Sequence, residues 1–168
     1  GDNVDGEGFL NAARRQGFQS AGKRALVIGC GGVGSAIAYA LCEAGVNGLV
    51  LDDVSAERAD GLVERLGSLF PAQRIERVYE SLADFDLLVN ASPVGMGDSG
   101  ELPLPAAMLE SLQPDTYVAD VVTSPEITPL LEFARARGCT IQTGPQMALA
   151  QLGNLGAFMG ATPLEIQP

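Results

Sequence analysis

The chain has 168 residues and a formal net charge of −11, and 46% of its residues are hydrophobic. This length suits a single domain with its own core, while the acidity excludes the basic surface that nucleic-acid partners require. No apolar run reaches the length of a membrane span. Three separate cysteines without any histidine provide no ligand set for a structural metal. We therefore expect a reduced, cytoplasmic protein with no metal, no nucleic-acid partner and no membrane anchor.

Apolar segments alternate along the chain with segments of helical periodicity. The first ten residues, GDNVDGEGFL, are polar and glycine-rich, so we expect a flexible start, followed by a helix in GEGFLNAARRQG. Six strands are predicted, in RALVIG, GLVLDD, RIERVY, DLLVNA, TYVADVV and CTIQTG. Further helices are predicted in GGVGSAIAYALCEAG, SAERADGLVERLGSLF, LPAAMLESL, TPLLEFARARG and GPQMALAQLGNLGAFMG.

The predicted strands are almost continuously apolar, which is typical of a parallel sheet covered by helices on both faces. With right-handed crossovers the fold class is α/β, a doubly wound, mostly parallel, six-stranded, Rossmann-like sheet. We assign residues 17–143 to this sheet domain. Residues 1–16 form a preceding segment with a helix, and residues 144–168 form a C-terminal helix.

A glycine-rich turn, VIGCGGVGSA, joins the first predicted strand to the helix that follows it. It satisfies G-x-G-x-x-G: the first glycine allows the tight turn, the second lets a pyrophosphate approach, and the third lets the helix pack on the strand. The helix then presents free N–H groups to the phosphates. The pattern predicts a dinucleotide site, although such turns also occur for packing alone. Its predicted cofactor-binding residues are Gly29, Gly31, Gly32, Val33 and Gly34.

The second predicted strand ends in two acids, and Asp53 stands at its tip, 19 residues after Gly34. A carboxylate there accepts hydrogen bonds from the adenosine ribose and repels a 2′-phosphate, which favours NAD over NADP. Alternatively, Asp52 or Asp53 caps the following helix. Arg58, on that helix, could itself cap or pair with Asp53.

Hydride transfer to or from an alcohol also needs a proton acceptor. Histidine is absent, and Lys23, the single lysine, precedes the first predicted strand at the wrong end of the sheet. Asp5 remains as a candidate, but a carboxylate needs tuning by its surroundings to shuttle a proton at neutral pH. From its residues alone, the chain holds a cofactor and lacks a complete catalytic set.

Several segments in order resemble the shikimate/quinate dehydrogenase family: GDNVDGEGF, VIGCGGVGSAIAYAL, NASPVGM, LPLP, the region from VADVV to GC, and GPQMALAQ. The resemblance runs from residue 1 to about residue 151. It implies the cofactor-binding half of an NAD(P)-dependent oxidoreductase of aromatic amino acid biosynthesis, which acts on a ring hydroxyl of a shikimate- or quinate-like acid. In the family, an N-terminal substrate domain with the catalytic lysine comes first, so the chain alone should be inactive. Residues 1–16 then become an interdomain segment, and 144–168 return toward the substrate.

The resemblance also implies roles for particular residues. Asp5 matches the catalytic aspartate that pairs with the lysine and bonds a substrate hydroxyl, while Asn3 and Gln151 match substrate-side positions. Five further residues match positions along the cofactor: Asn90, Ala91, Ser92, Gly144 and Met147. Without the resemblance, Asp5 would be assigned to a turn, Gln151 to the surface and NASPVGM to an ordinary loop.

The sequence also departs from the family pattern. Val4 replaces the usual threonine, and Asp53 stands where NADP-using members carry the arginine of an N-R-T run, which again favours NAD. A different interpretation is a stand-alone module that senses NAD(H) without catalysis. Asp5 and Gln151 favour the enzyme, because a sensor needs no substrate-side residues. Expected partners are a small hydroxy acid, the N-terminal substrate domain and a second copy in a homodimer.

Overall fold

The computed structural model describes residues 2–158; residues 1 and 159–168 lie outside the described part, as do the side chains of residues 2, 3 and 154–158. The strands are β1 (Arg24–Ile28), β2 (Gly48–Asp52), β3 (Arg74–Glu76), β4 (Leu87–Asn90), β5 (Tyr117–Asp120) and β6 (Ile141–Gln142). The helices are α1 (Asp2–Arg15), α2 (Gly32–Glu43), α3 (Ala56–Leu69), α4 (Ala106–Leu109), α5 (Pro129–Ala136) and α6 (Gly144–Phe158).

All six strands are parallel and lie in the order β3-β2-β1-β4-β5-β6. The doubly wound, Rossmann-like sheet predicted from the sequence is therefore confirmed. The chain leaves β1 toward one edge and returns beside it at β4, which makes the β1–β4 boundary the switch point of the sheet. Open sheets of this kind bind ligands outside the carboxyl ends of the strands at that point.

Alternate residues of the four central strands, β2, β1, β4 and β5, enter two separate hydrophobic clusters, one on each face of the sheet. Val27 and Leu51 belong to a cluster covered by α1, α2, α3 and α6, and Leu26 and Val50 belong to a cluster covered by α4 and α5. Burial on both faces explains why these strands are apolar throughout. None of the helices within residues 2–158 is both long enough and apolar enough to cross a membrane.

The N-terminal segment differs from its prediction. The expected flexible start is wrong, because α1 already begins at Asp2. The glycines of DGEGF are sites of close helix packing: a Cβ at Gly6 would lie 2.7 Å from the Ala36 carbonyl oxygen of α2, and one at Gly8 would lie 2.3 Å from Cγ of Gln151 on α6. Residues 2–15 are thus packed on the sheet domain through its helices.

Candidate functional site

The glycine turn between β1 and α2 has two positions that admit no side chain. Gly29 has a φ of +101°, and a Cβ there would lie 2.8 Å from the Ala91 carbonyl carbon and the Ser92 nitrogen. A Cβ at Gly34 would lie 1.7 Å from the Gly29 carbonyl oxygen. These two glycines let the turn, the helix and the segment after β4 approach one another closely.

The other two glycines of the turn face open space. A Cβ at Gly31 would meet only the Arg58 Nη1 atom, at 3.9 Å, and one at Gly32 would meet no atom within 4 Å. Gly31 has ordinary dihedral angles, φ −79° and ψ −159°, and no side chain of the described residues caps α2. The first amides of α2 are therefore available to an anion, with the positive end of the helix dipole behind them.

Asp53 follows β2 directly and is bonded to the glycine turn. Its Oδ2 accepts a hydrogen bond from the Cys30 amide at 2.6 Å, and its Oδ1 accepts one from the Ser55 amide at 2.8 Å. Burial opposes ionisation, yet these two amides and the nearby Arg58 guanidinium hold the pKa of Asp53 below its ordinary value. The strand end thus carries a charged carboxylate whose side chain is only 4% exposed.

The neighbouring side chains argue against the helix-capping alternative for the two acids. Neither acid is the N-cap of α3, because the Ser55 hydroxyl accepts the hydrogen bond from the Arg58 amide. Asp52 lies on the other face of the sheet, where it accepts a hydrogen bond of 2.6 Å from the Tyr79 hydroxyl. The expected pairing of Arg58 with Asp53 is confirmed at 3.7 Å, and the Arg58 side chain is 56% exposed.

A buried cluster of polar side chains at the ends of β4 and β5 supports the segment that follows β4. The Asn90 side chain is fully buried, and its Oδ1 accepts hydrogen bonds from the amide and the hydroxyl of Ser92. Its Nδ2 donates to the Val94 carbonyl oxygen and to Oδ1 of Asp120. Of the three residues predicted beside the cofactor, the Asn90 side chain is therefore buried beneath the segment, while Ala91 and Ser92 lie against Gly29.

Two residues of this cluster, Asp120 and Thr128, were not predicted from the sequence. Asp120 is 2% exposed and Thr128 is fully buried, and the Thr128 hydroxyl donates to Asp120 Oδ2 at 2.8 Å. Burial raises the pKa of Asp120, and its hydrogen bonds offset only part of that effect. A signal exists in the sequence: the apolar strands LLVN and YVAD each end in a polar residue, and the register pairs Asn90 with Asp120.

The predicted substrate-side residues Asp5 and Gln151 meet although 146 positions separate them. The Gln151 amide nitrogen donates a hydrogen bond to Oδ1 of Asp5, and both residues are half-buried. Asp5 lies on α1, so its assignment to a turn is wrong. The Asn3 side chain lies outside the described residues.

The last predicted cofactor residues, Gly144 and Met147, lie at the start of α6. Thr143 and Gln146 cap this helix reciprocally. The Thr143 hydroxyl oxygen accepts a hydrogen bond from the Gln146 backbone amide, and the Gln146 side-chain oxygen accepts one from the Thr143 backbone amide. A Cβ at Gly144 would lie 2.2 Å from the Val122 carbonyl oxygen, so this glycine seats α6 against the segment after β5. Met147 is 5% exposed and packs in the core.

The cysteines and possible metal ligands add no further chemistry to this edge. Cys30, Cys42 and Cys139 are free and buried, and desolvation raises the pKa of the Cys30 thiol to about 11, with Asp53 adding to the shift. Cys30 points into the core between two turn glycines. Among residues 2–158, no group of three or more histidine, cysteine or acidic side chains is arranged to hold a metal ion.

The chain is similar in sequence to one family of known enzymes. A sequence model of the shikimate/quinate 5-dehydrogenases matches residues 11–98. The shikimate dehydrogenase (NADP(+)) of Pseudarthrobacter chlorophenolicus is 39% identical, over 100% of this chain and 57% of that protein. The chain thus spans about half the length of the curated relatives it matches.

Two solved structures are similar in both fold and sequence. Shikimate 5-dehydrogenase from Thermus thermophilus, in complex with NADP(H) and shikimate, has a TM-score of 0.79 and 37% identity, covering 99% of this chain and 59% of that one. Quinate dehydrogenase from Corynebacterium glutamicum, in complex with NAD, has a TM-score of 0.77 and 33% identity, covering 97% and 58%. The six-stranded sheet of this chain is therefore the fold seen in both dinucleotide complexes.

Proposed function

Because the chain belongs to the shikimate/quinate 5-dehydrogenase family, we propose that it is the cofactor-binding half of a nicotinamide-dependent oxidoreductase. The observation that carries the proposal is the uncapped start of α2, whose first amides face open space beside Gly31 and Gly32. The pyrophosphate of a dinucleotide fits this position, since it needs amide donors, a positive dipole end and room for close approach. The cofactor would then extend along Ala91 and Ser92.

We propose NAD as the preferred cofactor. The comparisons favour NADP: the names of the curated relatives specify NADP(+) and the Thermus structure contains NADP(H), whereas the quinate dehydrogenase structure contains NAD. In this chain the strand end offers a buried, charged carboxylate at Asp53, and the next residue, Val54, is fully exposed and uncharged. A 2′-phosphate would meet repulsion from Asp53, while Arg58 is the nearby cation that could offset it.

We propose a shikimate- or quinate-like hydroxy acid as the substrate of the whole protein. A nicotinamide cofactor held at the glycine turn and along Ala91 and Ser92 would supply hydride chemistry at the carbinol carbon of the substrate. Asp5 would accept a hydrogen bond from the reacting hydroxyl, and Gln151, which already donates to Asp5, would fix the direction of that carboxylate. These two residues form one wall of a pocket. An N-terminal substrate domain with its lysine would supply the other wall and the proton partner.

The Asp5–Gln151 pair is also what favours an enzyme over an NAD(H) sensor. A sensor needs only the dinucleotide site, yet α1 and α6 bring these two polar groups together beside the sheet domain. The proposed division of the chain follows: residues 17–143 bind the cofactor, 1–16 join the two domains, and 144–168 return toward the substrate. A homodimer stays a prediction.

Titration of the 168-residue chain with NADH, followed by fluorescence, tests the cofactor site. Gly31→Ala places a methyl group where the pyrophosphate should approach, in a backbone conformation that alanine adopts freely, so affinity should fall by at least about tenfold with an unchanged melting temperature. Gly67→Ala, at the far end of α3 and also in open space, is the matched control and should bind normally. Equal binding by all three proteins would contradict the assigned site.

A second experiment tests the half-enzyme proposal by following NADH absorbance with shikimate or quinate. The isolated chain should bind cofactor without turnover, since loss of a proton-transfer partner alone costs about 10²–10⁴ in rate. Adding or fusing the N-terminal part of a curated relative should restore activity. Turnover by the chain alone would show that the proton acceptor lies within these 168 residues.

A further inference from the structure

Asn90 and Asp120 are a polar pair at the centre of the sheet's carboxyl edge. They are the last residues of β4 and β5, and the strand register places them side by side. Asn90 is 0% and Asp120 is 2% exposed, so neither side chain is available to a ligand. Buried polar groups of this kind are retained where each of their atoms has a partner.

Asp120 and the Val94 carbonyl together determine which way the Asn90 amide points. Oδ1 of Asp120 accepts from the Val122 amide at 3.0 Å and from Nδ2 of Asn90 at 3.2 Å. A carboxylate oxygen only accepts, so the amide nitrogen of Asn90 must face β5 and its oxygen must face the segment after β4. That oxygen is the acceptor for the amide and the hydroxyl of Ser92.

The segment from Ala91 to Val94 is in turn packed on the glycine turn. The Ala91 carbonyl carbon and the Ser92 nitrogen lie 2.8 Å from the position of an absent Gly29 Cβ, and Ala91 Cβ lies 3.4 Å from that of Gly34. A small shift of Ala91 or Ser92 therefore moves atoms that border the proposed pyrophosphate site. One path from Asp120 to this site runs through the Asn90 side chain.

We propose that Asp120 is a positioning residue for the cofactor: through Asn90 it holds the Ala91–Val94 segment against the glycine turn and so sets dinucleotide affinity without touching the dinucleotide. The inference rests on the proposed function, since it concerns the same site. Its other oxygen supplies an internal contrast. Oδ2 accepts from Thr128, the N-cap of α5, whose Cβ lies 3.7 Å from the position of an absent Gly95 Cβ and so borders the residue after Val94.

Four variants, titrated with NADH alongside thermal melts, separate positioning from general stability. Asp120→Ala should weaken NADH binding by about tenfold or more, through the loss of a buried hydrogen bond that leaves Asn90 without its partner on β5. Asp120→Asn should bind within about threefold of the unmodified chain, since an amide oxygen can still serve both Asn90 and Val122. Thr128→Val should lower the melting temperature and leave affinity within about threefold. Asn90→Ala tests the same link from its other end should Asp120→Ala not fold.

A double-mutant cycle adds a result that a merely structural role would not give. If Asp120 acts through Asn90, the double variant should bind NADH no more weakly than Asn90→Ala alone. Normal NADH affinity in both Asp120→Ala and Asn90→Ala would overturn the inference. A loss of NADH affinity in Thr128→Val as large as that in Asp120→Ala would overturn it as well. No NADH binding by the unmodified chain would overturn the proposed function itself, and this inference with it.

Discussion

Replacing Asp53 with alanine should shift the cofactor preference of this chain from NAD toward NADP. The two cofactors differ only by the 2′-phosphate, so the ratio of their dissociation constants cancels every contribution they share. The cancellation is needed because Asp53 also accepts hydrogen bonds from the Cys30 and Ser55 amides. Losing these bonds loosens the glycine turn and weakens both cofactors together.

The magnitude follows from the charge and burial of the carboxylate. Its side chain is 4% exposed and its pKa lies below the ordinary value, so it is ionised at neutral pH. Two unit charges about 5 Å apart, at an effective dielectric constant of about 20–40, interact by about 2–3 kcal/mol. The ratio of the NADP to the NAD dissociation constant should therefore fall by about 30- to 150-fold in Asp53→Ala.

Replacing Arg58 should change the cofactor preference in the opposite direction. Its guanidinium lies 3.7 Å from Asp53 and is 56% exposed, so the ion pair itself contributes at most about 1 kcal/mol to stability. Arg58→Ala should raise the same ratio, because the cation that offsets a 2′-phosphate is removed. Fluorescence titrations with NADH and NADPH measure both ratios, and both shifts should shrink as salt screens the charges. A ratio that stays the same in both variants would refute this account, as would a preference of the unmodified chain for NADP.

Three further outcomes follow from individual residues. Because the pKa of Cys30 is about 11, iodoacetamide at neutral pH should label it slowly and at a rate that NADH does not change, as peptide mass spectrometry would show. Gly34→Ala should lower the unfolding free energy in urea by about 1–3 kcal/mol or more, because its Cβ meets the Gly29 oxygen, whereas Gly67→Ala should raise it by up to about 1 kcal/mol. Burial makes the ionised form of Asp120 costly in the folded chain and so raises its pKa. The contribution of Asp120 to the unfolding free energy is therefore greatest below about pH 4, where the side chain is protonated in both states, and it is lost as pH rises through the raised pKa. Asp120→Asn lacks this titration, so its melting temperature should gain on that of the unmodified chain as pH rises above about 4.

The sheet could be predicted because its signals are local. Apolar runs such as RALVIG and GLVLDD, and the glycine pattern between strand and helix, each determine their own segment without reference to distant residues. The boundaries were less accurate: RIERVY contributes only the three residues of β3, and CTIQTG only the two of β6. Both strands lie at the edges of the sheet, where one neighbour rather than two supports the pairing.

The parts that were missed depend on contacts between distant segments. A helix was predicted from GEGF onward, but the polarity of the residues before it suggested flexibility, whereas α1 begins at Asp2 and is stabilised by α2 and α6, which lie elsewhere in the chain. Likewise, the adjacent acids Asp52 and Asp53 left a helix cap open as an alternative, but side-chain direction decides against it: Asp53 faces the glycine turn and Asp52 faces Tyr79. Asp120 was not predicted because its contact with Asn90 becomes apparent only when β4 and β5 are aligned in register.

The glycines of α1 show how a site can depend on residues that carry no chemistry. Asp5 lies directly before Gly6, and Gly8 lies against the side chain of Gln151. A methyl group at Gly6 would push α1 away from the Ala36 oxygen and the Ala40 methyl group of α2, and one at Gly8 would displace Gln151 itself. Either change would separate the carboxylate of Asp5 from the amide that holds it. The position of the proposed catalytic acid is therefore determined by the two close helix crossings that these glycines permit.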